Sequence, residues 1–152
     1  MDKYYFLNLN EDNKSKFLVG LASEATSVLS DYRNVFKIAT DAVGLLESHL
    51  VNPLPPKEIG LYLEHYDESK DISSLYDYVR DDNLAISAID MIAYATGAIA
   101  LSAYHSHGIY KGITDPILQA TPDVFEFALT QYKKLETANM VRPVSEVWSE
   151  IN

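Results

Sequence analysis

The feature that most constrains the fold is residues 82–107, the longest stretch of the sequence without a proline or a charge cluster. Small and apolar residues recur there mostly at steps of three and four, which predicts one helix with a wide apolar face. Asp81 and Asp82 can cap its N-terminus, and Gly108 suits its C-terminal end. We therefore expect every other helix to pack on this one. The residues of its face are Leu84, Ala85, Ala88, Ile89, Ile92, Ala93, Ala95, Thr96, Ile99, Ala100, Ala103 and Tyr104.

Helical periodicity also marks the segments on either side. One helix is predicted from about Asp12 to Tyr32, and a second follows and stops before the Asn52-Pro53 pair. A short helix carrying Ile59, Tyr62, Leu63 and Tyr66 is expected to begin at Pro56, and residues 71–80 are expected to form a short helix or a turn. Residues 108–120 are predicted to be a loop, and Thr121-Pro122-Asp123 to start the last long helix. The tail with Trp148 is expected to fold back onto the body. The sequence predicts an all-α fold, a single compact helical bundle of about five to seven helices around one central apolar helix.

Length and composition limit the domain count and the kinds of partner. The 152 residues fit one domain, residues 1–152, and the absence of cysteine excludes disulfides, thiolate catalysis and cysteine-ligated metals. We expect a cytoplasmic protein with no membrane span, because the start lacks the apolar run of a signal peptide and the central helix suits a core. The net charge of -10 makes nucleic acid an unfavourable partner, since phosphate contacts require Lys and Arg.

The search for catalytic or metal-binding patterns gives few candidates. His105 and His107 would project about 200° apart on a helix, so they cannot ligate one metal unless the helix ends between them. No phosphate-binding glycine loop or nucleophile elbow is present. We therefore predict no catalytic residue, no metal and no cofactor. Asp90 stands among apolar neighbours and needs a hydrogen-bond partner or an exposed edge. A small helical enzyme that uses Asp90 with a Tyr or His stays an alternative.

The strongest positive signal is the stretch from residue 64 to residue 82, which we call the acidic segment. It has seven acids against two bases, a net of five negative charges, and it also contains Tyr66, Tyr76 and Tyr78. Tyrosines beside carboxylates are typical of a surface that binds a basic protein. The other interpretation is a solvated loop whose tyrosines pack inward. The predicted contact residues are Glu64, Asp67, Glu68, Asp71, Tyr76, Asp77, Tyr78 and Asp81.

The order of these elements resembles the small all-helical immunity proteins of bacterial polymorphic-toxin and contact-dependent growth inhibition systems. Two amphipathic helices, a proline turn, the acidic segment and a central helix rich in small residues follow each other in the same succession. The resemblance implies a non-enzymatic inhibitor of one cognate toxin domain, often a nuclease. The toxin's C-terminal domain would be the basic partner. A structural or scaffold subunit is a third possibility, and it would expose a large apolar patch in place of an acidic one.

Overall fold

The chain forms a bundle of helices in a computed structural model that describes residues 9–64, 67–118 and 123–151. Across these ranges it is all-α, with seven α-helices and three short 3-10 helices. The α-helices are α1 Glu11–Thr26, α2 Arg33–Val51, α3 Pro56–Gly60, α4 Asn83–Ser106, α5 Asp115–Leu118, α6 Val124–Thr137 and α7 Val144–Ser149. The 3-10 helices are Ser27–Leu29, Glu68–Lys70 and Ile72–Tyr78. The predicted fold class is confirmed.

The central helix is α4, and its bounds match the predicted ones within one residue at each end. Asp82, not Asp81, caps it: the Asp82 carboxylate accepts a hydrogen bond from the Ala85 N–H at 3.0 Å. Helices α1, α2, α3 and α6 all pack on α4. Among the described residues α4 alone is long and apolar enough to cross a membrane, but 61% of its most apolar window is buried inside the bundle.

The boundary between the first two helices differs from the prediction of one helix through Tyr32. Helix α1 ends at Thr26 and tightens into the 3-10 helix Ser27–Leu29 before α2 begins. The hydroxyls of Thr26 and Ser27 donate to the carbonyls of Ser23 and Glu24, at 2.7 and 2.9 Å. Such side-chain bonds compete with the regular helical pattern. The apolar stripe continues through Val28 and Leu29, which are buried, so hydrophobic spacing alone did not reveal the break.

Two shorter elements also depart from the predicted pattern. Helix α3 begins at Pro56 as expected but ends at Gly60, before the buried Tyr62 and Leu63. Helix α5 lies in the segment expected to be a loop and starts at an Asp-Pro pair, which suits the first turn of a helix. Thr121 and Pro122, predicted to start the last long helix, lie outside the described residues; Asp123 makes no side-chain cap on α6.

The C-terminal tail folds back onto α1, as predicted. The Trp148 ring packs edge-on against Phe17, with the ring centroids 5.4 Å apart. Arg142 forms a two-pronged ion pair with Glu150, at 2.5 and 2.7 Å, and its Nε lies 2.8 Å from the Glu24 carboxylate of α1. The guanidinium of Arg142 thereby joins the last helix to the first. The hydrogen bonds from Arg142, together with its charge, hold the pKa of Glu150 below the usual value.

Candidate protein-binding surface

The backbone of the acidic segment is held by two successive Asp-x-Ser turns. Asp67 accepts hydrogen bonds from the N–H and hydroxyl of Ser69, at 2.9 and 2.7 Å. Asp71 does the same with Ser73, at 3.0 and 2.7 Å. Each aspartate caps a 3-10 helix, so these carboxylates order the segment in addition to charging it. The bonds from Ser69 lower the pKa of Asp67.

Three predicted contact residues, Asp77, Tyr78 and Asp81, lie together on the surface. All three are exposed, and 62% of Tyr78 is accessible to solvent. They line a shallow cleft of about 470 Å³, in which Tyr32 and Asp82 are also found. The cleft therefore combines three carboxylates and two tyrosine rings with one guanidinium, that of Arg80, at the N-terminal end of the central helix.

The cleft is anchored by a hydrogen bond between Tyr32 and Asp82. The Tyr32 hydroxyl donates to Asp82 Oδ2 at 2.7 Å, while Asp82 Oδ1 caps α4. The bonds from Tyr32 and from the Ala85 N–H lower the pKa of Asp82, and the Asp82 carboxylate raises the pKa of Tyr32. One carboxylate thus fixes both the start of the central helix and the residue that immediately precedes α2.

Tyr76 was predicted to be an exposed contact residue, but its side chain points inward. It is half-buried against the core, and its hydroxyl donates to Asp90 Oδ1 at 2.5 Å. Burial and this bond raise the pKa of Tyr76 well above the ordinary tyrosine value. Asp90 therefore has the tyrosine partner that its position on an apolar helix requires. For Tyr76, the inward-packing interpretation of the acidic segment is the correct one.

The remaining predicted residues are less favourably placed for contact. Glu64 is half-buried, and its Oε1 is enclosed beside the buried Gly60 with no hydrogen-bond partner among the described residues. Asp67 is exposed, whereas Asp71 is half-exposed. The side chain of Glu68 and all of Tyr66 lie outside what the structure describes. Among the described residues of the predicted set, Asp67, Asp77, Tyr78 and Asp81 are exposed, and the last three lie together at the cleft.

An aromatic pair next to this region was missed from the sequence. Tyr94 of α4 and Phe127 of α6 have ring centroids 6.2 Å apart, and 52% of Phe127 is exposed. Their pairing depends on how α4 and α6 cross, which the sequence does not reveal. A usable signal did exist, because Phe127 is a large apolar residue that falls outside the core stripe Ala128, Leu129, Tyr132 and Leu135 of α6.

The opposite end of α4 carries a different set of side chains. A groove of about 310 Å³ lies there between α1, α2 and α4, and Lys16, His49 and Ser106 are among its lining residues. His49 Nδ1 accepts a hydrogen bond from the Leu54 N–H at 3.0 Å. Beyond the helix end, the exposed Tyr110 stacks on His105, with the ring centroids 4.7 Å apart.

Neither cavity is lined by Asp90, the residue of the alternative enzyme hypothesis. Within the described ranges no group of three or more His, Asp or Glu residues is arranged to hold a metal ion. Comparison of the chain with protein-family models, curated proteins and solved structures found no match.

Proposed function

We propose that this chain is a cytoplasmic inhibitor that binds and neutralises a basic protein, in the manner of the toxin immunity proteins that its sequence pattern resembles. The observation that carries the proposal is the cleft at the N-terminal end of α4. There Asp77, Tyr78 and Asp81 are exposed together on a segment whose backbone is held by side-chain caps. A surface already ordered before binding loses less conformational entropy when the complex forms.

The acidic and aromatic residues of the cleft have separate roles in this proposal. The carboxylates of Asp77 and Asp81 attract a positively charged surface over a distance and raise the association rate. Tyr78 offers a large, rigid contact area at the same place and slows dissociation. A nuclease domain is a suitable target, because the surface with which it holds nucleic acid is basic.

The test is to express the protein encoded by the neighbouring reading frame with and without this chain, and to measure growth and binding. Wild-type chain is expected to restore growth. The double reversal Asp77→Lys with Asp81→Lys is expected to slow association markedly and to weaken protection. These carboxylates cap no backbone group among the described residues, so the variant keeps the segment's framework. Reversing Asp67 and Asp71 would be a poorer test, because both cap 3-10 helices.

A matched control is the double reversal Asp12→Lys with Glu47→Lys, at exposed positions towards the opposite end of α4. It changes the net charge by the same amount and should leave most of the association rate intact, apart from a general effect that salt screens. Tyr78→Ala should weaken binding by about 1–3 kcal/mol, mainly through faster dissociation. Equal effects of the two double reversals would show that net charge, not this cleft, governs binding. The proposal fails if the wild-type chain neither binds nor protects.

A further inference from the structure

Asp90 has one carboxylate oxygen, Oδ2, that accepts no hydrogen bond from the described residues. It lies two turns into α4 and is half-exposed, and Tyr76 occupies only its Oδ1. Among the described residues no second hydrogen bond reaches this carboxylate. Asp90 therefore presents Oδ2 at the surface, while Tyr76 fixes the orientation of the side chain.

Aromatic surface begins one helical turn away. Tyr94 follows Asp90 at the spacing of four that places two side chains on one helix face. Burial raises the pKa of Tyr94, and the charge of the neighbouring Asp90 raises it further. The half-exposed Tyr94 ring is tilted by 33° to the ring of Phe127, which is the more exposed of the two. A carboxylate oxygen and two accessible rings thus lie side by side.

We propose that Asp90, Tyr94 and Phe127 form a recognition site for an arginine side chain of the protein partner. A guanidinium is planar, stacks on aromatic faces and pairs with carboxylates through a fork of donors. A lysine ammonium is compact and strongly hydrated, so it fits the combination less well. The site rests on the proposed function only for the identity of the protein that supplies the arginine.

The arginine site is connected to the acidic cleft through a single 3-10 helix. The 3-10 helix Ile72–Tyr78 includes Tyr76, whose hydroxyl bonds to Asp90. The exposed Asp77 and Tyr78 directly follow Tyr76 in the same helix. The cleft and the arginine site can therefore be covered by one partner. In that arrangement the acids at the cleft steer a basic protein, and the buried part of the contact is made at the aromatic pair.

A small probe tests the site without any knowledge of the partner. N-acetyl-arginine methylamide and its lysine counterpart would each be titrated against the isotope-labelled chain by NMR. We expect the arginine probe to shift the resonances of Tyr94 and Phe127 more strongly than the lysine probe does. Asp90→Asn and Phe127→Ala should each abolish that difference at Tyr94. Asp90→Asn keeps an oxygen acceptor for Tyr76, and Phe127 is largely exposed, so both variants retain the core.

Two matched controls lie elsewhere on the surface. Glu47→Gln removes one exposed carboxylate from α2, and Tyr110→Ala removes an exposed ring at the other end of α4. Neither should alter the probe shifts at Tyr94. Equal shifts with the two probes, or arginine-selective shifts that persist in Asp90→Asn, would overturn the inference.

A second measurement uses the protein from the neighbouring reading frame and separates this inference from the proposed function. Phe127→Ala and Asp90→Asn should each speed its dissociation by roughly tenfold or more, with little change in association. Tight binding unchanged in both variants would remove the arginine site and leave the inhibitor proposal standing. Arginine-selective probe binding without any binding of the neighbouring protein would support the arginine site and contradict the inhibitor proposal.

Discussion

The two ends of the central helix are built from different chemistry. Helix α4 has 24 residues, so the ends lie about 36 Å apart. At the N-terminal end, carboxylates bond to backbone N–H groups and to Tyr32, and more acids stand exposed beside them. At the C-terminal end, His107 Nδ1 donates to the Ala103 carbonyl at 2.9 Å, and Gly108 turns the chain with a φ of 70°. The difference shows that side-chain caps do more than end a helix, since at the acidic end they also fix the surface proposed to bind a partner.

The largest predicted effect comes from a charge placed in the middle of α4, because both ends depend on the packing of this helix in the core. Ile92 lies in the middle of α4 and is 1% exposed, so Ile92→Lys places an unpaired charge in the core and should cost about 3–5 kcal/mol of unfolding free energy. Ala93→Lys, one residue on, should cost much less, because Ala93 is half-exposed and a lysine there can reach solvent. Urea denaturation followed by circular dichroism measures both. Similar losses would mean that α4 is less enclosed than described.

The second prediction tests whether the acidic end is held more firmly than the histidine end. Asp82→Ala removes the cap of α4 and the acceptor of Tyr32, and should lower the unfolding free energy by about 1–2 kcal/mol. Its exposed neighbour supplies the control, because Asp81→Ala should be close to neutral. His107→Ala should cost less than Asp82→Ala does, in the same denaturation experiment. A larger loss from His107→Ala would reverse the comparison.

The smallest predicted effect separates the two ends by pH. Burial, with a contribution from His107, lowers the pKa of His49 from its ordinary 6.5. The folded state therefore favours neutral His49, whose stabilisation is complete above 6.5 and is lost as the pH falls through 6.5 towards the lowered value. The pKa of Asp82 is lowered from 3.8, so its contribution persists through that range and is lost only as the pH falls below about 3.8.

Denaturation midpoints measured from about pH 8 to about pH 5 should therefore fall because of the histidine end. His49→Gln should flatten part of that fall, since the glutamine oxygen can accept from the Leu54 N–H without titrating. Ser102→Ala, at an exposed position that lines the same groove, removes no titratable group and is the control that should leave the profile unchanged. An unaltered slope in His49→Gln would show that other groups carry the dependence.

The sequence was most informative where a pattern is local. The bounds of α4 follow from a cap, a periodic apolar face and a glycine, all within one segment. The break after Thr26 was missed, because a hydrophobic stripe runs through a 3-10 turn as readily as through an α-helix. Helix α5 was missed because its four residues are too few to show a helical period.

The candidate surface also has features that the local sequence reveals and features that depend on the tertiary fold. Charge density pointed to Asp77 and Asp81, and both are exposed, because charged side chains remain at the surface unless they are paired. Which tyrosines face outward could not be deduced, since Tyr76 and Tyr78 are two residues apart on a 3-10 helix and only the packing on Asp90 distinguishes them. The contact between Tyr94 and Phe127 joins two helices distant in sequence and needs the tertiary fold.

The guanidinium of Arg142 has a consequence for how the chain is made. It connects α1 with α7, which is translated much later than α1, and the Phe17–Trp148 contact spans a similar length of chain. Contacts so far apart in sequence close late, because the intervening chain must first be synthesised and ordered. Part of the apolar face of α1 therefore stays uncovered until α7 has been translated. Under the proposed function, a chain assembled in this way would protect only as a finished molecule, and a cell that depends on it would need a standing pool of such molecules.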